Sequence, residues 1–174
     1  MTKVLVVVDM QNDFVDGSLG SEDAQKIVPA VVNEIEDSSY DSIFVTMDTH
    51  EENYMHTHEG KYLPVPHCIR ETDGWKIFPA VKEALAKRAS VVKIVEKPTF
   101  GSLTLAEMVR AIQPKEITLV GLCTDICVAS NALLLRAAIE QAEIAVVSSA
   151  CAGVTPAKHQ AALDVMQSCQ INIR

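Results

Sequence analysis

Five short runs of apolar, mainly β-branched residues recur along the chain with room for a helix between successive runs: Lys3 to Val8, Ser42 to Met47, Val91 to Val95, Ile117 to Gly121 and Ile144 to Ser148. They are nearly continuous in apolar side chains rather than alternating with polar ones, which is the pattern of parallel strands buried on both faces. Helical spacing fills the gaps. Ile27, Val31 and Ile35 recur on one helical face, Phe78 to Arg88 is amphipathic and ends in basic residues, and Leu103 to Ile112 closes at Gln113-Pro114. Asp125 to Ala142 reads as the longest helix, and Pro156 to Ser168 as the last, with Thr155 as its cap and Pro156 in its first turn. Ile171-Asn172-Ile173 is a candidate short edge strand. The alternation predicts an α/β fold, a three-layer α/β/α sandwich around a mostly parallel sheet of five to six strands.

With 174 residues the chain is long enough for a substantial core and is expected to form one domain over residues 1–174. A net charge of −8 with no basic cluster argues against a nucleic-acid surface. The run Val4-Leu5-Val6-Val7-Val8 is too short for a signal core or a membrane span, so a cytoplasmic protein with no membrane partner is expected. Five cysteines, Cys68, Cys123, Cys127, Cys151 and Cys169, are an odd number without a secretion signal, which argues for reduced thiols over a disulfide framework.

In open parallel sheets, ligands bind beyond the carboxyl ends of the strands. Asp9 ends the first predicted strand, Asp48 and His50 follow the second, Lys97 the third and Cys127 the fourth, so reactive side chains from four strand ends converge on one edge. The competing dinucleotide-binding reading fails, because Asp9-Met10-Gln11-Asn12-Asp13-Phe14 contains no glycine-rich turn and no phosphate-binding loop with its lysine occurs. A thiol at a helix start, as in Gly121-Leu122-Cys123-Thr124-Asp125-Ile126-Cys127-Val128, is expected to be favoured as thiolate by the backbone N–H groups there. Asp9 can take and return its proton, and Lys97 supplies a nearby cation.

The loop after the second strand carries His50, His56, His58 and His67, four of the five histidines, beside Asp48 and Glu59. Imidazoles with carboxylates suit zinc, iron or manganese. Cys68, Cys151 and Cys169 have no neighbours suggesting chemistry and are read as structural, while His159 is read as a surface or packed residue.

The Asp9 motif, Lys97-Pro98-Thr99-Phe100-Gly101 and the Gly121 to Val128 stretch together resemble the isochorismatase-like cysteine hydrolases, and within them the nicotinamidase/pyrazinamidase branch. The resemblance implies a catalytic triad of Asp9, Lys97 and Cys127, and a cis peptide at Leu122-Cys123 with the backbone amides of Cys123 and Cys127 as oxyanion hole. It further implies hydrolysis of nicotinamide through a thioester, with Phe14 and Leu122 against the substrate and one divalent metal near the pyridine nitrogen. The metal, zinc first and iron or manganese as alternatives, would be held by Asp48, His50 and His67, with Glu59 preferred as fourth ligand and His56 as the alternative. The run Tyr62-Leu63-Pro64-Val65-Pro66-His67 lacks the bulky aromatic many nicotinamidases place before their proline-histidine segment, leaving Tyr62 or Trp75 as replacements. Two other readings stay open: hydrolysis of a carbamoyl or ureido amide, and non-catalytic metabolite binding. Isochorismate cleavage is set aside because it needs no cysteine. The Ala- and Leu-rich Asp125 to Ala142 segment fits either a homo-oligomer interface or a core helix.

Overall fold

The computed structural model describes residues 2–174. Strands β1 (Lys3–Val8), β2 (Ser42–Asp48), β3 (Val92–Lys97), β4 (Glu116–Leu122), β5 (Glu143–Ala152) and β6 (Asn172–Ile173) form one sheet in the order β3-β2-β1-β4-β5-β6. Every pairing is parallel. The continuous apolar runs explain the three central strands: from its second residue onward each of β1, β2 and β4 is fully buried. Strand β3 departs from the expected buried run, because it lies at the sheet edge and exposes Lys93, Ile94 and Glu96.

Alternate side chains of each strand enter separate cores. Val4, Val6 and Val8 meet α6 (Leu103–Ile112), α7 (Ala129–Ala138) and α8 (Pro156–Ser168) through Leu105, Val109, Leu135 and Met166. Leu5 and Val7 meet α3 (Val28–Glu36) and α5 (Pro79–Lys87) through Val31, Ile35, Val81 and Leu85, joined by the short helices α1 (Asn12–Val15) and α2 (Glu22–Lys26). The result is the expected three-layer α/β/α sandwich. Thr155 accepts from the Lys158 N–H and Pro156 opens α8, as the sequence predicts.

Three helices carry no warning in the apolar pattern: α1, α2 and α4 (His58–Tyr62), all four or five residues long and lying in connections. The segment read as a helix from Asp125 to Ala142 divides instead. A single π-helical turn at Thr124–Val128 leads into α7, which stops at Ala138. Ile139 leaves helical geometry, and the Arg136 guanidinium donates to the carbonyls of Ile139, Glu140 and Ala142 in the turn that follows the helix. Buried Ala132 and Leu135 place α7 against the sheet, which accounts for its apolar face as core.

Strand order reverses at β1, whose neighbours β2 and β4 come from successive halves of the chain. Such a reversal opens a crevice at the carboxyl edge of the sheet. Gly121 makes the approach of β4 to β1 there: it sits at φ +116°, and a Cβ on it would lie 2.1 Å from the Val8 carbonyl oxygen.

Candidate active site

Asp9 is the first residue beyond β1 and adopts φ 48°, a left-handed conformation that aspartate tolerates better than most residues. Its carboxylate is fixed from β2, where the Thr46 hydroxyl donates to Asp9 Oδ1 at 2.6 Å. Lys97 closes β3 in register with Asp48 of β2, and its ammonium reaches inward to lie 2.7 Å from Asp9 Oδ2, 3.7 Å from Asp48 Oδ1 and 3.6 Å from Cys127 Sγ. A further bond to the Thr99 carbonyl at 3.0 Å holds it. Cys127 lies in the π-helical turn after β4, so the structure brings the three predicted strand-end residues together, all buried. The Leu122-Cys123 peptide is cis, as expected.

Electrostatics in this cluster differ from the sequence expectation at one point. Burial pushes the Cys127 thiol well above its ordinary value, the charge of Asp9 adds to the effect, and Lys97 only partly opposes it. A preformed thiolate is therefore disfavoured, in keeping with a Cys127 that is only 5% exposed. Burial also raises Asp9, opposed chiefly by the charge of Lys97. Burial acts to lower Lys97, yet Asp9, Cys127 and Asp48 hold it above the ordinary lysine value. Burial thus favours the neutral thiol, beside the close Lys97–Asp9 pair.

Beside it, Asp48, His50, Glu59 and His67 each offer one donor atom, all within 4.8 Å of one another. Asp48 Oδ2 lies 2.9 Å from His50 Nε2 and 3.3 Å from His67 Nε2, while Glu59 Oε1 lies 3.5 Å from His67 Nε2 and 3.8 Å from His50 Nε2. Ligands on a tetrahedral ion at about 2.0–2.1 Å would sit roughly 3.4 Å apart, so the set fits a small divalent cation. His67 is turned toward the group by its Nδ1–H bond to the Val65 carbonyl at 2.8 Å, an orienting contact of the kind ligating histidines make. Burial works to lower His67, but hydrogen bonds to Asp48 and Glu59 carry it up to about 10, so two carboxylates here draw positive charge. Asp48 faces both ways, with Oδ2 toward the imidazoles and Oδ1 toward Lys97. His56 is exposed in a single 3₁₀ turn and stands outside the group.

Several residues that sequence reasoning did not single out hold these side chains. Gln11 accepts from the Asp48 N–H and donates to the Asp48 carbonyl, both at 2.8 Å, pinning that backbone. Asp13 accepts from the Cys68 N–H and so fixes the residue after His67. Asn131, fully buried on α7, donates to the carbonyls of Cys127 (2.8 Å) and Phe100 (3.1 Å) and accepts from the Ser102 N–H (2.9 Å). It ties the turn bearing Cys127 to the loop that follows Lys97. Asn131→Ala would leave those groups without their partner in a dry site and is expected to cost roughly 2–4 kcal/mol of stability, measured by urea unfolding; an unchanged midpoint would refute that role.

Asp48, His50, Glu59, His67, Lys97 and Cys127 line the floor of a cavity of about 1320 Å³, to which Phe14, Leu122, Cys123 and Ile126 also contribute, while Asp9 lies fully buried behind Lys97. Phe14 is buried with its ring 5.4 Å from that of His67. Tyr62 lines the cavity but is 80% exposed, whereas Trp75 is absent from the lining and donates its Nε1–H to Thr49 Oγ1 at 2.9 Å. Phe100 lines the cavity as well, an aromatic whose place the sequence did not reveal.

The chain resembles the isochorismatase family protein PncA of Bacillus subtilis, with 29% identity over 143 residues, which are 76% of this chain and 78% of that one. Among solved structures it resembles the nicotinamidase/pyrazinamidase of Bacillus subtilis (TM-score 0.88, 26% identity, 99% of each chain). The pyrazinamidase/nicotinamidase of Streptococcus mutans superposes at TM-score 0.87 with 29% identity, over 99% of this chain and 100% of that one. The pyrazinamidase of Pyrococcus horikoshii in complex with zinc does so at 0.81 with 26% identity, over 100% and 99%. The isochorismatase domain model matches residues 3–173, nearly the whole of the sheet, both cores and the site just described, and the chain belongs to the isochorismatase family.

Proposed function

We infer that this protein is a metal-containing cysteine amidohydrolase that converts nicotinamide and water to nicotinate and ammonia. The observation that carries the reading is the Lys97 ammonium, which spans Asp9 at 2.7 Å and Cys127 Sγ at 3.6 Å on the floor of a cavity that also holds the four donor atoms. Three relatives named for nicotinamidase or pyrazinamidase activity support the substrate class.

Since the thiol rests protonated, Asp9 takes its proton as Sγ attacks the carboxamide carbon. Lys97 stays protonated and offsets the negative charge that then gathers on Asp9 and the sulfur. The backbone N–H groups of Cys123 and Cys127 are assigned to the oxygen of the tetrahedral species. Asp9 returns the proton to the departing nitrogen, the C–N bond breaks, and ammonia leaves a thioester on Cys127. Asp9 then takes a proton from water, whose oxygen attacks the same carbon; the C–S bond breaks and the thiol is reprotonated. Phe14 and Leu122 flank the ring. Asp48, His50, Glu59 and His67 would hold the divalent ion, which when bound offers a Lewis-acidic anchor for the pyridine nitrogen. Two imidazoles and two carboxylates suit zinc, with iron or manganese as alternatives. Among the described residues no helix is long and apolar enough to cross a membrane; a cytoplasmic location is proposed on the five cysteines, none of which is paired in a disulfide.

The test is metal analysis of the untreated protein together with ammonia release from nicotinamide, pyrazinamide and a carbamoyl compound. About one equivalent of metal and turnover of the pyridine and pyrazine amides are expected, with chelation lowering turnover at least about tenfold and zinc restoring it. No ammonia from nicotinamide in metal-loaded protein whose Cys127 is still alkylatable would sink the reading.

A further inference from the structure

The cavity is larger than a single-ring amide requires. Pockets that enclose a whole drug-sized ligand span roughly 300–1000 Å³, and this one holds about 1320 Å³. Its two ends also differ in chemistry. The floor is polar and reactive, with Asp48, His50, His67, Lys97 and Cys127 all buried. The mouth carries exposed apolar side chains among polar ones: Tyr62 is 80% exposed, Phe100 47% and Val154 53%, and each comes from a different segment of the chain. Leu19 and Leu63 continue this surface inward. Exposed apolar side chains gathered round one opening mark a surface that binds something, since scattered ones would not converge. Arg70 at the rim is already paired with Glu51 at 3.0 Å and Glu96 at 2.7 Å, and Lys158, four residues beyond Val154, is an exposed cation in the lining, so the carboxylate analogue is the direct control for charge recognition.

We propose that the site takes primary aryl carboxamides carrying an apolar extension on the ring, with the carboxamide at Cys127 and the extension lying between Phe100, Tyr62 and Val154. The proposal rests on the amidohydrolase reading and leaves its chemistry unchanged: ammonia still leaves and water still cleaves the thioester. Burying the extension removes apolar surface of both partners from water, which offsets the cost of seating the larger amide.

The experiment compares kcat/KM for ammonia release from nicotinamide, 5-phenylnicotinamide and its 5-(4-carboxyphenyl) analogue. The phenyl amide is expected to be turned over no more than tenfold less efficiently than nicotinamide, and better than the carboxylate analogue. Val154→Asp should lower kcat/KM for the phenyl amide at least about fivefold relative to nicotinamide; Phe100→Ser is the second variant, and nicotinamide turnover in each reports that the fold is intact. A phenyl amide more than tenfold poorer than nicotinamide, as a mouth sealed by a second copy of the chain would produce, overturns the proposal. So does preference for the carboxylate analogue, or an unchanged ratio in both variants. Failure of nicotinamide itself would instead remove the amidohydrolase reading on which the proposal stands.

Discussion

Cys127→Ala is expected to lower ammonia release from nicotinamide by at least about 10⁴-fold while leaving the fold intact. The size of the effect follows from the chemistry, because Cys127 Sγ stands 3.6 Å from the Lys97 ammonium and the thioester cannot form without it. The small effect on stability follows from the packing. Cys127 is buried, but removing one sulfur atom deletes less than a large-to-small core change, and Lys97 keeps Asp9 at 2.7 Å and the Thr99 carbonyl at 3.0 Å. Thermal unfolding should shift by only a few degrees. A variant that retains turnover within tenfold of the parent removes Cys127 as nucleophile. The same residue has a second readout. Since burial and Asp9 raise the thiol, alkylation of the free protein at pH 7 should be slow and should accelerate as pH rises, the thiolate fraction growing toward the raised value. Rapid alkylation with no pH dependence between pH 6 and 8 would mean that Lys97 outweighs desolvation.

The convergence of the residues proposed to carry the reaction was legible in the sequence for a physical reason. In a parallel sheet, position along the chain maps onto position in space, so a carboxylate, an amine and a thiol just beyond successive apolar runs must share one edge. Asp9, Lys97 and Cys127 meet on that account, and Asp48 and His50 join them from β2. Loops give no such mapping. Glu59 is preferred to His56 on resemblance alone, with His56 as the alternative; in the structure the Thr57 cap, whose hydroxyl accepts from the Gly60 N–H, starts α4 so that Glu59 faces the imidazoles. Trp75 was a candidate ring-stacking residue by composition, but its indole N–H is taken by Thr49 Oγ1 away from the cavity. The holders Gln11, Thr46 and Asn131 were least visible of all, because each bonds partners about 30 or more residues away, often at backbone atoms that carry no side-chain signature. The end of α7 at Ala138 was equally hidden, since no glycine or proline marks it and the arginine that caps it lies inside the helix.

Lys97→Met should cost more than its loss of charge alone suggests, because it removes the ammonium that lies between two buried carboxylates. Asp9 lies 2.7 Å and Asp48 3.7 Å from the ammonium, and Lys97 itself is 2% exposed. Deleting one member of such a pair typically costs about 3–5 kcal/mol, since the partner is left buried and uncompensated. For a chain of this length that corresponds to a fall of roughly 6–20 °C in Tm. Activity should fall at least about 10³-fold, because Asp9 is already raised by burial and loses its principal opposing charge. A more strongly protonated Asp9 cannot accept the thiol proton. The pH dependence of stability has a definite sign: with its folded pKa raised above the unfolded one, Asp9 binds more protons in the native state. The variant's deficit should therefore be largest near pH 7 and shrink as pH falls through the raised Asp9 value toward the ordinary carboxylate range. Adding Asp9→Asn to Lys97→Met separates the two roles. Removing the stranded carboxylate should recover much of the lost stability and none of the activity, since the base is then absent as well as the cation. A Lys97→Met protein with unchanged Tm and turnover within tenfold of the parent would show that neither the ion pair nor the ammonium beside Cys127 does what its geometry implies.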